Sequence, residues 1–244
     1  MVPMVPIKVR KALRALVDAR DRRALLQGVA ASLEHATVLR SLPTAKTVID
    51  IGANRGQFIL EAIKWHPNAN FIAFEPLSPQ RALMELVLRG LPRLTIHPIA
   101  LGDTDTCAQF NVSASADCSS ILKQTPLQAQ SFPGTENVGQ QKVCVRRLEH
   151  LLNRSEFHSP VICKIDVQGY ELNVLRGFGD LLDAVDYLIV ELTNVAFYEG
   201  AANSSEVIAY LVAREFRILG IYDMYLQDQI CVQANFLFSR EVKK

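Results

Sequence analysis

One short run constrains this chain more than any other: Thr47-Val48-Ile49-Asp50-Ile51-Gly52-Ala53-Asn54-Arg55-Gly56, an apolar stretch that meets an acid and then glycines. β-Branched residues in such a run favour a buried strand. The glycines permit a sharp backbone turn, and residues 55–65 carry a helical pattern closed by Pro67. Strand, tight turn and helix form the opening unit of an open α/β sheet, whose ligands lie at the carboxyl ends of the strands.

The alternation continues. Strands are predicted at 71–74 and 94–99, with a helix over 79–89 between them, then at 161–165 and 187–192 with a helix over 170–177. A helix over 204–213 and terminal strands near 216–222 and 233–238 complete the pattern. Such alternation implies a mainly parallel sheet covered on both faces. Residues 102–140, rich in Ser, Gln, Thr and Gly, read as loop with room for one hairpin. Ahead of the alternation, residues 8–40 read as a basic amphipathic helix closed by Pro43. Residues 1–40 hold eight Lys or Arg against three Asp or Glu, although the whole chain of 244 residues carries only +1. The chain therefore divides into an N-terminal helical arm, 1–43, and a ligand-binding domain, 44–244. Packing over the domain or self-association as a homo-oligomer are the expected uses of the arm, with contact to a membrane surface the lesser alternative.

The near-zero charge argues against nucleic acid as a partner. No apolar stretch reaches the length of a transmembrane span, and no secretory leader pattern opens the sequence, so a cytoplasmic protein is expected. Five cysteines, none in a C-x-x-C pair, read as reduced and mostly buried. The five histidines read as structural or solvated.

The chemistry lies in four blocks. Gly52 and Gly56 have the spacing G-x-x-x-G, unlike the dinucleotide fingerprint G-x-G-x-x-G, and no phosphate-binding Gly-Lys-Ser/Thr follows. Asp50 at the strand end suits a ligand with an ammonium group, such as the methionine part of S-adenosylmethionine. Gly52 is expected to face that ligand, so that a side chain there blocks binding and leaves the fold intact. A plain βα turn is the alternative. Glu75, in Phe74-Glu75-Pro76, ends the second strand, where an acid accepts from ribose hydroxyls; a solvated charge is the alternative. Ala100-Leu101-Gly102-Asp103 is predicted to end the third strand beside an adenine, or to be only a turn. Lys164-Ile165-Asp166 ends the fourth strand, and its Asp166 should point into the same crevice as Asp50, unless it caps the next helix. Glu191 ends the fifth. Two acids converging on one cleft bind a cation, share a proton or act in catalysis.

Order and spacing of these blocks, with Val167-Gln168-Gly169-Tyr170-Glu171 and Val174-Leu175-Arg176-Gly177 after Asp166, closely resemble the FkbM methyltransferase family over about residues 45–240. The resemblance implies a Rossmann-like seven-stranded methyltransferase sheet, mostly parallel with an antiparallel C-terminal strand and helices on both faces. It implies S-adenosylmethionine held by Asp50, Gly52, Ala53, Asn54, Gly56, Glu75, Pro76, Leu101, Gly102 and Asp103. The acceptor is then a hydroxyl of a sugar, a glycan or a glycosylated small molecule. Many members have Glu in place of Gln168. Asp166 is the first choice for general base or for ligand to Mg²⁺, with Glu191 second in both roles. The Ser119-Ser120 pair also looks like the family, without a role that physics assigns. A nicotinamide-dependent oxidoreductase and a non-catalytic cofactor-binding module are the rival readings.

Overall fold

Thr47–Ile51 is buried at all five positions, and that strand organises the rest of the structure. The structure is a computed structural model that describes residues 18–240. Along the chain, α1 (Ala19–Leu26) and α2 (Ala36–Ser41) precede β1 (Thr47–Ile51), α3 (Gln57–Trp65), β2 (Asn70–Phe74), α4 (Ser78–Val87) and β3 (Leu94–His97). Next come β4 (Ala100–Leu101), β5 (Thr106–Ser113), α5 (Pro126–Ser131) and β6 (Asn137–Arg146). The last part holds β7 (Val161–Ile165), α6 (Glu171–Gly177), β8 (Tyr187–Thr193), α7 (Ser204–Ala213), β9 (Phe216–Gln227) and β10 (Ile230–Arg240).

The main sheet has seven strands in the order β3-β2-β1-β7-β8-β10-β9. The first five are parallel to their neighbours, while β10 runs antiparallel to β8 and β9 antiparallel to β10. This is the mainly parallel sheet expected from the alternation, in the seven-stranded Rossmann-like arrangement that the family resemblance implies. Period-two burial divides the sheet residues between two cores. Ile49, Ile51, Cys163, Ile165 and Val190 pack under α6 and α7, against Val174, Leu175 and Leu211. Val48, Phe71, Ile162 and Ile189 face α3 and α4, meeting Phe58, Ile59 and Met84. Capping sets the helix starts: Asn203 and Glu206 form a reciprocal capping box at α7, and Pro79 stands in the first turn of α4.

Four readings of the sequence are corrected. The single helix expected over 8–40 is broken in its described part. Gly28, at φ +72°, separates α1 from a short 3-10 turn and α2, and the predicted residues 8–17 lie outside the described ones. Leu26 points to solvent, whereas Val29, Leu33 and Leu39 are buried in the second core. Next, the strand expected over 94–99 stops at His97. Pro98 offers no backbone N–H to a ladder, and Ala100–Leu101 leaves the main sheet to pair with Val145 and Arg146. The third correction follows: the supposed loop belongs to a three-stranded sheet, β4-β6-β5, closed on Leu77, Ala100, Phe110, Val143 and Val145. Its outer positions from Asn137 to Lys142 are exposed, which is why the segment is polar. The cysteines also differ from expectation. Only Cys163 is buried, while Cys107 and Cys144 are exposed and opposite one another across β5 and β6.

Because Leu39 is fully buried in the sheet's second core, Leu39→Ala is expected to lower unfolding free energy by about 2–5 kcal/mol. Urea denaturation should show this as an earlier single transition. A loss below about 0.5 kcal/mol in that measurement would show that the segment does not fold with the sheet.

Candidate functional site

Strand order reverses between β1 and β7, because the chain builds β2 and β3 on one side of β1 and then crosses to the other. At such a switch point the loops diverge and leave a crevice. Here the crevice is a cavity of about 410 Å³. Gly52 makes it possible. It sits at φ +79°, and a Cβ at that position would lie 1.9 Å from the backbone oxygen of Asp166. The exits of β1 and β7 thus touch backbone to backbone, with Asp166 N–H donating to Ile51 O at 3.1 Å. Gly52 and Ala53 N–H both donate to Phe74 O. Glycine is therefore required at position 52 by the neighbouring strand, which corrects the expectation that a side chain there leaves the fold intact, and Gly52 lines the cavity as well.

Asp50 is fully buried and lines the cavity, and neither of its carboxylate oxygens makes a hydrogen bond. Burial pushes its pKa up to about 6, opposed by the Lys164 ammonium 3.9 Å away. Glu75 is also buried and lines the same cavity. Its Oε2 accepts from Asn54 N–H at 2.9 Å and its Oε1 from Leu77 N–H at 2.8 Å. Burial raises its pKa to about 7 in spite of those bonds. Each oxygen keeps a further lone pair for a hydroxyl donor. Asn54, at φ +46°, donates through Nδ2 to Asp117, which also accepts from Gln57 and pairs with Arg55 at 3.3 Å.

Asp166 and Glu191 meet as expected, through partners the sequence reading left out. Gln168, at φ +55°, donates from Nε2 to Asp166 Oδ1 and to Glu191 Oε2, both at 2.8 Å, and its Oε1 lies 3.0 Å from the Tyr198 hydroxyl. Lys164 Nζ donates to Asp166 Oδ2 at 3.1 Å. Although burial resists any charge here, the Lys164 ammonium and the Gln168 amide hold Asp166 below the usual carboxylate range. Burial and the Asp166 charge drive Glu191 well above that range. Burial disfavours the Lys164 charge, yet Asp166 and Asp50 outweigh it and keep Lys164 protonated. Within the pair the negative charge is thus favoured on Asp166 and disfavoured on Glu191.

This donor set does not fit Mg²⁺. Both Asp166 oxygens already accept from nitrogen donors, and an ammonium stands where a cation would be useful. Among the described residues no group of three or more His, Cys, Asp or Glu side chains gathers to hold a metal.

Ala53, Asn54, Pro76 and Leu101 also line the cavity, beside an apolar slot of Leu77, Ile99, Ala100, Phe110 and Ile121. Gly56, Gly102 and Asp103 do not. Gly56 starts α3 at φ +81° with Met84 and Leu88 against its Cα, and Gly102 packs against Val145 and Tyr170. Asp103 turns to Asn173 and lends its carbonyl to Arg147. Ala100–Leu101 left the main sheet, and the residues after it were carried out of reach. The Ser119-Ser120 pair acquires a structural role: Ser120 Oγ donates to Gln168 O at 2.8 Å, and Ser119 Oγ accepts from Ser113 N–H. The second sheet is thereby tied to the β7–α6 turn.

The Rossmann-like sheet thus carries one buried acid on β1 and another directly after β2, and both line the switch-point cavity. The chain belongs to the Methyltransferase FkbM domain family, whose profile matches residues 50–218. Among curated relatives, the 2-O-methyltransferase NoeI of Sinorhizobium fredii is 24% identical over 159 residues, covering 63% of this chain and 65% of NoeI. The hexuronic acid methyltransferase AglP of Haloferax volcanii is 27% identical over 143 residues, covering 59% of this chain and 54% of AglP. The chain thus spans less than two thirds of the length of either relative. A solved O-methyltransferase family protein from Burkholderia thailandensis superposes with a TM-score of 0.46 at 11% identity, covering 95% of this chain and 63% of that one. No helix among the described residues is long and apolar enough to cross a membrane.

The buried acids make stability depend on pH. Free Asp and Glu ionise near 3.8 and 4.5, whereas Asp50 does so at about 6 and Glu75 and Glu171 at about 7. Between those limits the folded chain retains protons that the unfolded chain has lost, so stability falls as pH rises through the window. The ligand-free melting temperature is expected to drop from pH 4.5 to 7, and the drop should be shallower in Asp50→Asn. A melting temperature that climbs steadily over the same range would contradict the burial of these groups.

Proposed function

We propose that the chain binds S-adenosylmethionine in this cavity and transfers its methyl group to a hydroxyl of a sugar, glycan or glycosylated small molecule. The carrying observation is the convergence of Asp50, Glu75 and Asp166 on one cavity, two of them buried with unused acceptor capacity. Membership in a methyltransferase family supports the reaction class, and two relatives named for methylation, one of them for a hexuronic acid, support the acceptor class.

The residues divide the work. Asp50 faces the ammonium of the methionine part, Glu75 the ribose hydroxyls, and the slot of Leu77, Phe110 and Ile121 the adenine. Bound in this way, S-adenosylmethionine supplies a methyl group already activated on a sulfonium. The protein holds the acceptor oxygen in line with it, and positioning is a large part of such a rate. Asp166 takes the hydroxyl proton as the O–C bond forms and the C–S bond breaks. Lys164 and Gln168 favour the ionised form of Asp166 for that task, and burial disfavours a second negative charge on Glu191 beside it.

Asp166→Asn preserves shape and removes the charge. Turnover measured by S-adenosylhomocysteine release is expected to fall by roughly 10²–10⁴, with donor affinity near normal by calorimetry. Chelator should leave the parent enzyme active. Glu75→Ala is expected to weaken donor binding by about 1.5–3 kcal/mol. Glu75→Gln should not rescue it, since both Glu75 oxygens accept backbone N–H groups and an amide turns one of them into a donor facing a donor. Parent-like affinity in both Glu75 variants would remove the ribose assignment.

A further inference from the structure

Of the five cysteines, Cys163 is buried and Cys118 and Cys231 are half-buried, while Cys107 and Cys144 stand exposed. Cysteine is among the residues most often buried, and the chemistry of its thiol more often than its packing decides its use. The two exposed thiols are not scattered. The register of β5 and β6 sets Cys107 directly opposite Cys144, and the register shift in this ladder falls between Val112 and Ser113, away from them. Side chains alternate across a strand. Ala108, Phe110, Val143 and Val145 belong to the small sheet's core, so Cys107 and Cys144 share its other face, the one in solvent.

Residues opposed in an antiparallel ladder have Cα atoms about 5.5 or 4.5 Å apart, according to whether they exchange backbone hydrogen bonds. A disulfide needs about 4.4–6.8 Å, so in either case the two sulfurs can bond without displacing the backbone. What lies between the two cysteines matters to the cavity. The chain from one to the other carries Phe110, Asp117, Ser119 and Ile121, which all line it. Within that span Asp117 holds the β1–α3 turn and Ser120 the β7–α6 turn. A bond from Cys107 to Cys144 closes the base of this excursion and ties its two strands together covalently.

Independently of the methyltransferase reading, we propose that Cys107 and Cys144 are a redox-active pair, oxidised to an intramolecular disulfide by a small-molecule disulfide such as oxidised glutathione. One cysteine thiolate attacks a sulfur of the reagent, a mixed disulfide forms, and one glutathione thiolate leaves. The opposing thiolate then attacks the protein sulfur of the mixed disulfide and displaces the second glutathione thiolate. The protein gives up two electrons and two protons, and the reagent takes them to become two thiols. An excess of reduced thiol runs the same steps backwards. Oxidation removes conformational freedom from the loosened states of the inserted sheet, so the wall that it lends the cavity becomes harder to open.

The test treats the full folded chain with oxidised glutathione and maps its cysteines by alkylation and peptide mass spectrometry. A link between Cys107 and Cys144 within one chain is expected, and dithiothreitol should reverse it. Cys107→Ser and Cys144→Ser, both at exposed positions, should fold like the parent and stop at a glutathione adduct on the cysteine that remains. Amides from 108 to 143 should exchange hydrogen roughly tenfold or more slowly in the oxidised parent than in the reduced one, with no such change in either variant. Adducts without a link in the parent, a link only between chains, or a link that forms only in urea overturns the proposal. Unchanged hydrogen exchange on oxidation overturns it too. Binding of S-adenosylmethionine bears on the function of the cavity alone and leaves each of these outcomes as it is.

Discussion

An ammonium in the body of a β-sheet needs counter-charges within a few ångströms, because desolvation of a lone ion costs more than any single contact returns. Lys164 stands on a buried central strand, with Asp166 at 3.1 Å and Asp50 at 3.9 Å. Asp50 lies on β1 and Asp166 directly follows β7, so the ion group spans the switch point and ties its two sides together. Its consequences extend to the neighbouring strand. With the Asp166 charge favoured by Lys164, burial and the Asp166 charge together disfavour a second charge on Glu191. Gln168 closes this arrangement, because its amide offers two N–H groups to two carboxyl oxygens at once without adding a charge. A Glu at that position, as the resembling family often has, would add a third acid and lose both bonds. The polarity of the pair, with charge favoured on one member and disfavoured on the other, thus depends in part on a residue that supplies no charge.

The cavity also depends on a part of the chain outside the parallel sheet. The segment from Ala100 to Arg146 forms its own small sheet and returns Asp117 to the β1–α3 turn, where it binds Asn54, Arg55 and Gln57. Ser120 anchors the same excursion to the carbonyl of Gln168. Both ends of the site, the turn after β1 and the turn after β7, are therefore braced by one inserted element. Its apolar core, with Leu77 and Phe110, is continuous with the slot beside Glu75.

The main sheet was legible because its period-two strands are continuous apolar runs, and buried parallel strands have that signature. The inserted sheet was not, since six consecutive positions of β6 face solvent and their composition is that of a loop. Asp50, Glu75, Asp166 and Glu191 could be named from position alone: each ends, or nearly ends, a strand. Lys164 and Gln168 could not, for their roles arise from distances between strands far apart in the chain. Gly52 was placed correctly in the turn, but the backbone of Asp166 that excludes a Cβ there could not be seen, as sequence shows that a Cβ is excluded and not everything that excludes it. Asp103 was misplaced because it was counted as the end of a main-sheet strand, and Pro98 had already diverted the chain.

The carboxyl groups that make the site costly also bias it along a reaction. Asp50, Glu75, Glu171 and Glu191 are all raised by burial, so at neutral pH the ligand-free fold carries acids that burial penalises when ionised. A cationic ligand bound to the folded state alone offsets that cost and stabilises the fold by mass action. In the proposed reaction the donor enters with a sulfonium and an ammonium and leaves with the ammonium only. The methionine end therefore keeps its partner in Asp50, while the charge next to Asp166 disappears as the methyl moves. At the same step Asp166 gains the hydroxyl proton, so it no longer offsets Lys164. The site thus loses one positive charge from the ligand and one negative charge from the protein together.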